Sequence, residues 1–493
     1  MRFRIVAKSL GALLLFLGLG GLGPLAADGI TGNPIWPWLV MSGTIIAVGG
    51  GLLAIGRGAS SNDMGLLEGV AVTTLVWLVG SVLAGIGLWL PAPGSTPIDG
   101  WFEAMSGFTT TGSSIFGGDR PIEQLTPGVL LWRSQTQWIG GIGIVVISLA
   151  LLPLLIGGGG FKAFRAEVPG IDTDRIAPRI RDTAFILYRF YMGLTLIVFL
   201  GLVASGVGGF DALCHAMTCV STGGFSTYDD SVEGLSSAAA EWILIGGMLV
   251  AGSNFGLLLH ATRGKVDRLW RSSEFRLYLA LIIGATIALC IMLAAGAPAY
   301  TSWHDLVRDS LFQAVSITTT TGYGSGYDTM PGSWADWPAA AQLILVFLMI
   351  GGGCAGSTAG GVKLVRFLVA WRAARRELRR YVEPARVTPI RLGGHQLKEP
   401  LVLQVGTFIF LFFLSWAIGA LLLAALGSDL ATATTASLSC LSNIGPGLGS
   451  VGPANNWAGL SDPAKIICIG LMLLGRLELL GVLLLLRLRA WKG

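Results

Sequence analysis

Four short segments carry the side chains best placed to do chemistry. They read Met-Ser-Gly-Phe-Thr-Thr-Thr-Gly ending at Gly112, Met-Thr-Cys-Val-Ser-Thr-Gly ending at Gly223, Ser-Ile-Thr-Thr-Thr-Thr-Gly ending at Gly322 and Ser-Cys-Leu-Ser-Asn-Ile-Gly ending at Gly445. The glycines lie 111, 99 and 123 residues apart, and Ser106, Ser316 and Ser439 each stand six residues before theirs, with Met217 in the second copy. Such segments offer oxygens rather than a nucleophile. An ion entering a pore must exchange its water shell for other oxygens, and rings of backbone carbonyls can supply them. Glycine serves where the backbone must reach positive φ so that successive carbonyls face one axis. Serine and threonine add small polar walls, and four copies in one chain can close a ring without four subunits. Thr-Gly runs also punctuate ordinary loops, but four copies in register argue against that reading. Acid–base and metal chemistry find little here: four scattered histidines and six cysteines without a CxxC pair build neither a hydrolytic triad nor a zinc site, so no enzyme is expected.

Each copy has the same surroundings. A long apolar span precedes it, then a short helix-forming stretch such as 101–108 or 306–317, then the glycine turn and a second span. The short stretch cannot cross a bilayer and reads as a re-entrant half-helix. Irregular backbone at that depth is tolerated only where it lines a cavity. Ten stretches between charges are about long enough to cross: 9–27, 29–56, 69–98, 134–161, 190–210, 242–262, 277–304, 337–362, 400–428 and 466–486, the last holding Arg476 and Glu478.

Composition agrees. Of 493 residues, 53% are apolar and 12% charged, half the charge of an ordinary soluble domain, and mean hydropathy is +0.70. The net charge of +5 is small and dispersed, so no nucleic-acid partner is expected. With an N-terminus inside, segments 1–8, 57–64, 157–183, 261–276, 370–399 and 487–493 hold 25 of the 33 Lys and Arg. That places both termini in the cytoplasm. The expected fold is an all-α polytopic membrane protein. Four tandem helix–pore-helix–helix repeats surround one pore in a pseudo-four-fold arrangement, after an N-terminal two-helix hairpin. The expected units are the hairpin 1–64 and repeats 65–183, 184–276, 277–399 and 400–493, the third with a broken second helix.

Two further features stand out. Residues 351–361, GGGCAGSTAGG, hold six glycines (Gly351, Gly352, Gly353, Gly356, Gly360 and Gly361) around Ser357 and Thr358. At a cost of about 1 kcal/mol per glycine relative to alanine, such a run does not hold a helix. It reads as an unwound segment facing a cavity beneath the third turn, a gate candidate. Arg476, ionisable at depth, is a functional candidate expected to reach that loop and hold the pore closed. The seven arginines of 372–391 fit the positive-inside bias and anionic-lipid contact.

Residues 106–112, LWRSQTQWIGGIG at 131–143, VSTGGFST at 220–227, GCAGSTAGGVK at 353–363 and LGRLE at 474–478 together resemble the Trk/Ktr/HKT superfamily of cation transporters, over nearly the whole chain. The resemblance implies a potassium filter at Thr110, Thr111, Gly112, Ser221, Thr222, Gly223, Thr320, Thr321, Gly322, Asn443, Ile444 and Gly445. All four glycines are present, which in that family goes with potassium over sodium. It further implies potassium uptake across a bacterial inner membrane, an intramembrane gating loop at 351–361, a homodimer and a cytosolic TrkA-like nucleotide-binding ring. No covalent cofactor is expected, and nucleotide enters only through that partner. The competing reading is a sodium- or proton-coupled secondary transporter, in which broken helices also frame a midplane site.

Overall fold

The computed structural model describes residues 2–59, 65–156, 180–296, 300, 302–325, 334–384, 388–393, 395–479 and 482. The expected cytoplasmic segments 57–64, 157–183, 370–399 and 487–493 lie wholly or partly outside them, as do the ends of spans 134–161, 277–304 and 466–486. Apart from one antiparallel pairing of Arg391–Leu392 with His395–Gln396, the described residues form helices and their connections. The order is α1 (Phe3–Gly20), α2 (Leu22–Thr31), α3 (Trp36–Ile55), α4 (Leu66–Ala84), α5 (Ile86–Trp89), α6 (Pro97–Phe108) and α7 (Pro127–Ile156). Then come α8 (Ile180–Ala204), α9 (Gly209–Val220), α10 (Ala238–Ala251), α11 (Phe255–Thr262), α12 (Asp267–Arg271), α13 (Ser273–Gly296) and α14 (Trp303–Thr318). The chain continues with α15 (Ala339–Gly351), α16 (Leu364–Val382), α17 (Glu399–Ala425), α18 (Leu430–Ser442) and α19 (Asp462–Arg476).

Burial is inverted relative to a water-soluble protein. Ile197 and Phe347 are 69% exposed, whereas Thr111, Ser221, Thr321 and Asn443 are completely buried. Large apolar side chains are exposed on the outside and polar side chains are buried within the bundle, as a lipid solvent requires. The chain is therefore an all-α polytopic membrane protein. Six helical spans among the described residues are individually long and apolar enough to cross, and α10 with α11 makes a seventh across a 105° bend. Of the other three expected spans, 134–161 and 466–486 run into undescribed residues, and 337–362 breaks at the glycine run.

Two boundaries differ from the sequence reading. The expected continuous span 242–262 is broken at Gly252–Asn254, because the Asn254 side chain accepts the Leu257 amide and starts a new helix. In the last expected span the helix α19 ends at Arg476, with Glu478 and Leu479 both at left-handed φ, and the span beyond Leu479 lies almost wholly outside the described residues.

At the N-terminus, α1 and α3 pack through small residues: a Cβ on Gly11 would stand 2.6 Å from the Gly49 carbonyl oxygen, the close backbone approach typical of membrane helix pairs. Buried Asp28 ties this pair to α7, accepting from Trp38 Nε1 (2.7 Å), Thr126 Oγ1 (2.9 Å) and the Gly128 amide (2.8 Å). Four short helices, α6, α9, α14 and α18, sit within the bundle. Thr96, Ser302 and Asp429 cap α6, α14 and α18 through side-chain oxygens. Buried ion pairs fix two of the four: Arg133–Glu103 (2.8 Å) and Lys465–Asp99 (2.7 Å) hold α6, and Arg308–Glu241 (2.6 Å) holds α14. Such pairs position a helix firmly, since removing one partner leaves a buried charge uncompensated.

Candidate functional site

All four short helices end at a turn of the same construction. One residue in each is non-glycine and left-handed: Thr110 (φ 51°), Thr222 (54°), Thr320 (58°) and Asn443 (55°). Two residues later comes a glycine at positive φ: Gly112 (86°), Gly224 (80°), Gly322 (81°) and Gly445 (109°). Between them an amide bonds back to the helix: Thr111 to Ser106 O, Gly223 to Thr218 O, Thr321 to Ser316 O and Ile444 to Ser439 O, at 2.8–3.1 Å. Left-handed threonine is uncommon and costs about 1–3 kcal/mol. A left-handed residue other than glycine at one place in all four copies, threonine in three and asparagine in the fourth, marks strain held for a purpose.

This construction shifts the second copy by one residue. Thr222, Gly223 and Gly224 match Thr110, Thr111 and Gly112, whereas counting to the first glycine had aligned Ser221, Thr222 and Gly223. The adjacent glycines conceal the register, since only Gly224 has positive φ. Thr218 then takes the place of Ser106, Ser316 and Ser439, so that position carries a hydroxyl in every copy, and Met217 lies outside the pattern.

The turns close a cycle. A Cβ on Gly112 would run into the carbonyl oxygen of Gly223, one on Gly224 into that of Thr321, and one on Gly322 into that of Ile444. A Cβ on Gly445 would stand 2.8 Å from the Thr111 carbonyl oxygen. Each glycine thus makes room for the next copy's carbonyl, from first to second, third, fourth and back. The short helices direct their C-terminal ends, where the helix dipole is negative, at this ring. Thr110 Oγ1 and Asn443 Oδ1 are buried with no hydrogen-bond partner among the described residues. A desolvated ring of carbonyls and hydroxyls under four negative helix ends suits a small monovalent cation.

Side chains around the ring hold it, and the sequence had left Arg133 and Gln137 among them without a role. Gln137 from α7 donates to Gly223 O (2.6 Å) and accepts from the Phe225 amide (3.1 Å). Arg133, one turn away, donates to Ser226 O (2.8 Å). Ser113 donates to Gly445 O (3.1 Å), and Asn443 Nδ2 donates to Thr111 Oγ1 (3.0 Å) and Met472 O (3.0 Å). The Tyr323 and Thr218 hydroxyls meet at 2.5 Å. Polar residues inside an otherwise apolar span were the available signal for Arg133 and Gln137.

Against the ring lies the glycine run. Gly351 ends α15, and Gly352, Gly356, Gly361 and Lys363 all take φ of 71–73° before α16 begins. The loop touches three copies: the Gly360 amide donates to Thr320 Oγ1 (2.6 Å) and the Gly361 amide to Ser442 O (2.9 Å). Thr358 Oγ1 donates to Val220 O (3.1 Å) and Ala251 O (3.2 Å). Gly353 packs on the Gly252 carbonyl, and Ser357 donates within the loop to Cys354 O (2.6 Å). Arg476 reaches the loop as the sequence led one to expect, donating to Thr358 O (2.9 Å) and to Gly140 O of the first copy (3.4 Å). Glu478 turns away and pairs with Arg366 at 2.5 Å. Among the described residues no group of three His, Cys, Asp or Glu could hold a metal ion.

Comparison with known proteins gives a consistent picture. A family model, TrkH, described as a cation transport protein, matches residues 42–490. The Trk system potassium uptake protein TrkH of Salmonella typhimurium is 35% identical over 428 residues, 86% of either chain. The protein of that name from Vibrio parahaemolyticus is 34% identical over the full length of both. The crystal structure of the potassium transporter TrkH from Vibrio parahaemolyticus superposes with a TM-score of 0.88 at 31% identity, covering 100% of each chain.

Proposed function

From the premise that this chain belongs to the TrkH family of cation transport proteins, we propose that it carries potassium into a bacterial cell through a pore. The filter is the ring of four turns, Thr110–Thr111–Gly112, Thr222–Gly223–Gly224, Thr320–Thr321–Gly322 and Asn443–Ile444–Gly445. The observation that carries this reading is the cycle in which each glycine faces the next copy's carbonyl. Residues 65–183, 184–276, 277–399 and 400–493 are the four pore repeats, and 1–64 is the accessory hairpin. The loop between Gly351 and Leu364 is the gate, latched by Arg476. The protein sits in the inner membrane with both termini cytoplasmic, forms a homodimer in contact with anionic lipids, and responds to nucleotide through a cytosolic TrkA-like ring.

The test is ion flux into proteoliposomes, potassium against sodium, with Gly322→Ser alongside. A Cβ at Gly322 displaces the Ile444 carbonyl, so the variant is expected to lose preference for potassium while staying folded. Equal discrimination by the folded variant and the parent overturns the filter assignment. Flux that requires a sodium or proton gradient makes the protein a coupled secondary transporter instead.

A further inference from the structure

The gate reading leaves open what keeps the loop's two ends in place while its middle moves. At its neck, the Leu364 amide bonds to Gly353 O (3.3 Å) and the Val362 amide to Ile350 O (3.3 Å), so the strands entering and leaving are already adjacent. Outside this neck stands Glu274, in the first turn of α13 and only 4% exposed. Its Oε1 accepts two hydrogen bonds, from the Ala355 amide at 2.7 Å and the Val365 amide at 3.2 Å. These amides lie ten residues apart, Ala355 within the glycine run and Val365 beyond it, and flank residues 356–361. Val365 is in the first turn of α16, where amides lack helical partners and a negative charge is favoured by the helix dipole. From the other side Asn254, the residue that starts α11, donates to the Ala355 carbonyl at 2.6 Å. Both polar groups of the Ala355 backbone are therefore held by side chains from other helices.

We propose that Glu274 is the positioning residue of the gate. One buried carboxylate staples the entry and exit of the loop, with Asn254 fixing the same peptide from behind. Residues 356–361 then swing as a flap about a stationary neck. Its stapling of both ends makes the closed position reproducible, because the amides of Gly360 and Gly361 meet Thr320 and Ser442 only while the neck holds its register. This inference rests on the loop being the gate.

The experiment measures rubidium uptake into proteoliposomes containing the full-length chain without a cytosolic partner. It compares the parent with Glu274→Ala, Glu274→Gln, Arg476→Ala and the double variant Glu274→Gln/Arg476→Ala. Glu274→Gln keeps one carbonyl acceptor and guards against the alanine variant failing to fold. Loss of the carboxylate is expected to raise basal uptake about tenfold, the ratio supplied by one charge-assisted hydrogen bond. Glutamine should give an intermediate rise, and preference for potassium over sodium should be unchanged. Because Glu274 and Arg476 act on one loop, their effects should fall short of multiplying, which a merely structural destabilisation would not produce. Basal uptake unchanged in folded Glu274→Gln while Arg476→Ala leaks overturns the role of Glu274 alone. If neither Glu274→Gln nor Arg476→Ala leaks, the gate reading falls with it.

Discussion

Threonine in left-handed conformation does what a glycine could do more cheaply, so the side chain at Thr110, Thr222 and Thr320 must be worth the strain. The Thr320 hydroxyl accepts from the glycine-rich loop at Gly360, and that of Thr110 has no hydrogen-bond partner among the described residues. Asn443 fills the same place in the fourth copy and uses its amide to hold Thr111 and Met472, so the ring is chemically four-part but not four-fold. The one-residue shift in the second copy yields a sharp prediction. Gly224→Ser puts a Cβ onto the Thr321 carbonyl and should abolish preference for potassium over sodium. Ser221→Ala, at the end of α9 and two residues before the ring carbonyl, should leave that preference intact. Selectivity measured by reversal potential distinguishes them, and the opposite ranking would restore the register read from the sequence. That register was not legible because two adjacent glycines fit the motif equally. Only φ, set by the neighbouring carbonyls, separates them.

At the scale of elements, hydrophobic length made most of the helices legible. An apolar stretch between charges has few alternatives in lipid, and the described spans follow those stretches. What escaped was where spans break. The bend at Gly252–Asn254 is announced by an asparagine that could cap a helix, but inside an apolar run that signal is weak beside the six glycines of 351–361. Lys465 and Arg133, cations outside the expected cytoplasmic segments, were likewise unplaced by pattern alone, since Lys465 meets Asp99 across 366 residues of chain and Arg133 meets Glu103 across 30. Capping, by contrast, is local and testable. Asp429 begins α18 and accepts both the Thr432 hydroxyl and its amide, and these bonds hold its carboxyl below the ordinary value of 3.8. Asp429→Ala should cost about 1 kcal/mol of stability, read as a lowered melting temperature in detergent. The sign with pH follows from the lowered pKa. The contribution is complete above 3.8 and is lost as pH falls through the folded-state value. Asp429→Asn should keep the cap yet lack that acid-side loss, and an identical acid profile in both proteins would remove the carboxylate from the account.

For the molecule as a whole, the consequence of the fold is that the proposed filter and the proposed gate share bonds rather than merely lying near each other. The loop donates to Thr320 and to Ser442 O, and Thr358 reaches Val220 O beside the second turn. Arg476 links that loop to the first copy through Gly140 O. Four separate segments of chain therefore meet through one loop, and any force that lifts it alters three of the four copies together. A latch of this kind is quantifiable. Two hydrogen bonds from a charged donor supply roughly 1.5–3 kcal/mol each when net contributions are counted, so removing them should shift a closed-to-open ratio by at least about a hundredfold. Arg476→Ala is expected to show that increase in partner-free potassium leak. Arg476→Lys is expected to fall between parent and alanine, because an ammonium lacks the planar fork that spans two carbonyls at once. The measurement is unidirectional flux at equal reconstituted protein, with filter selectivity determined in the same vesicles. Leak that rises with selectivity preserved assigns Arg476 to the gate. Leak that rises with selectivity lost means that the loop's bonds to Thr320 and Ser442 also shape the filter, so that gate and filter open as one element. A folded alanine variant with the parent's leak rules out Arg476 as the latch.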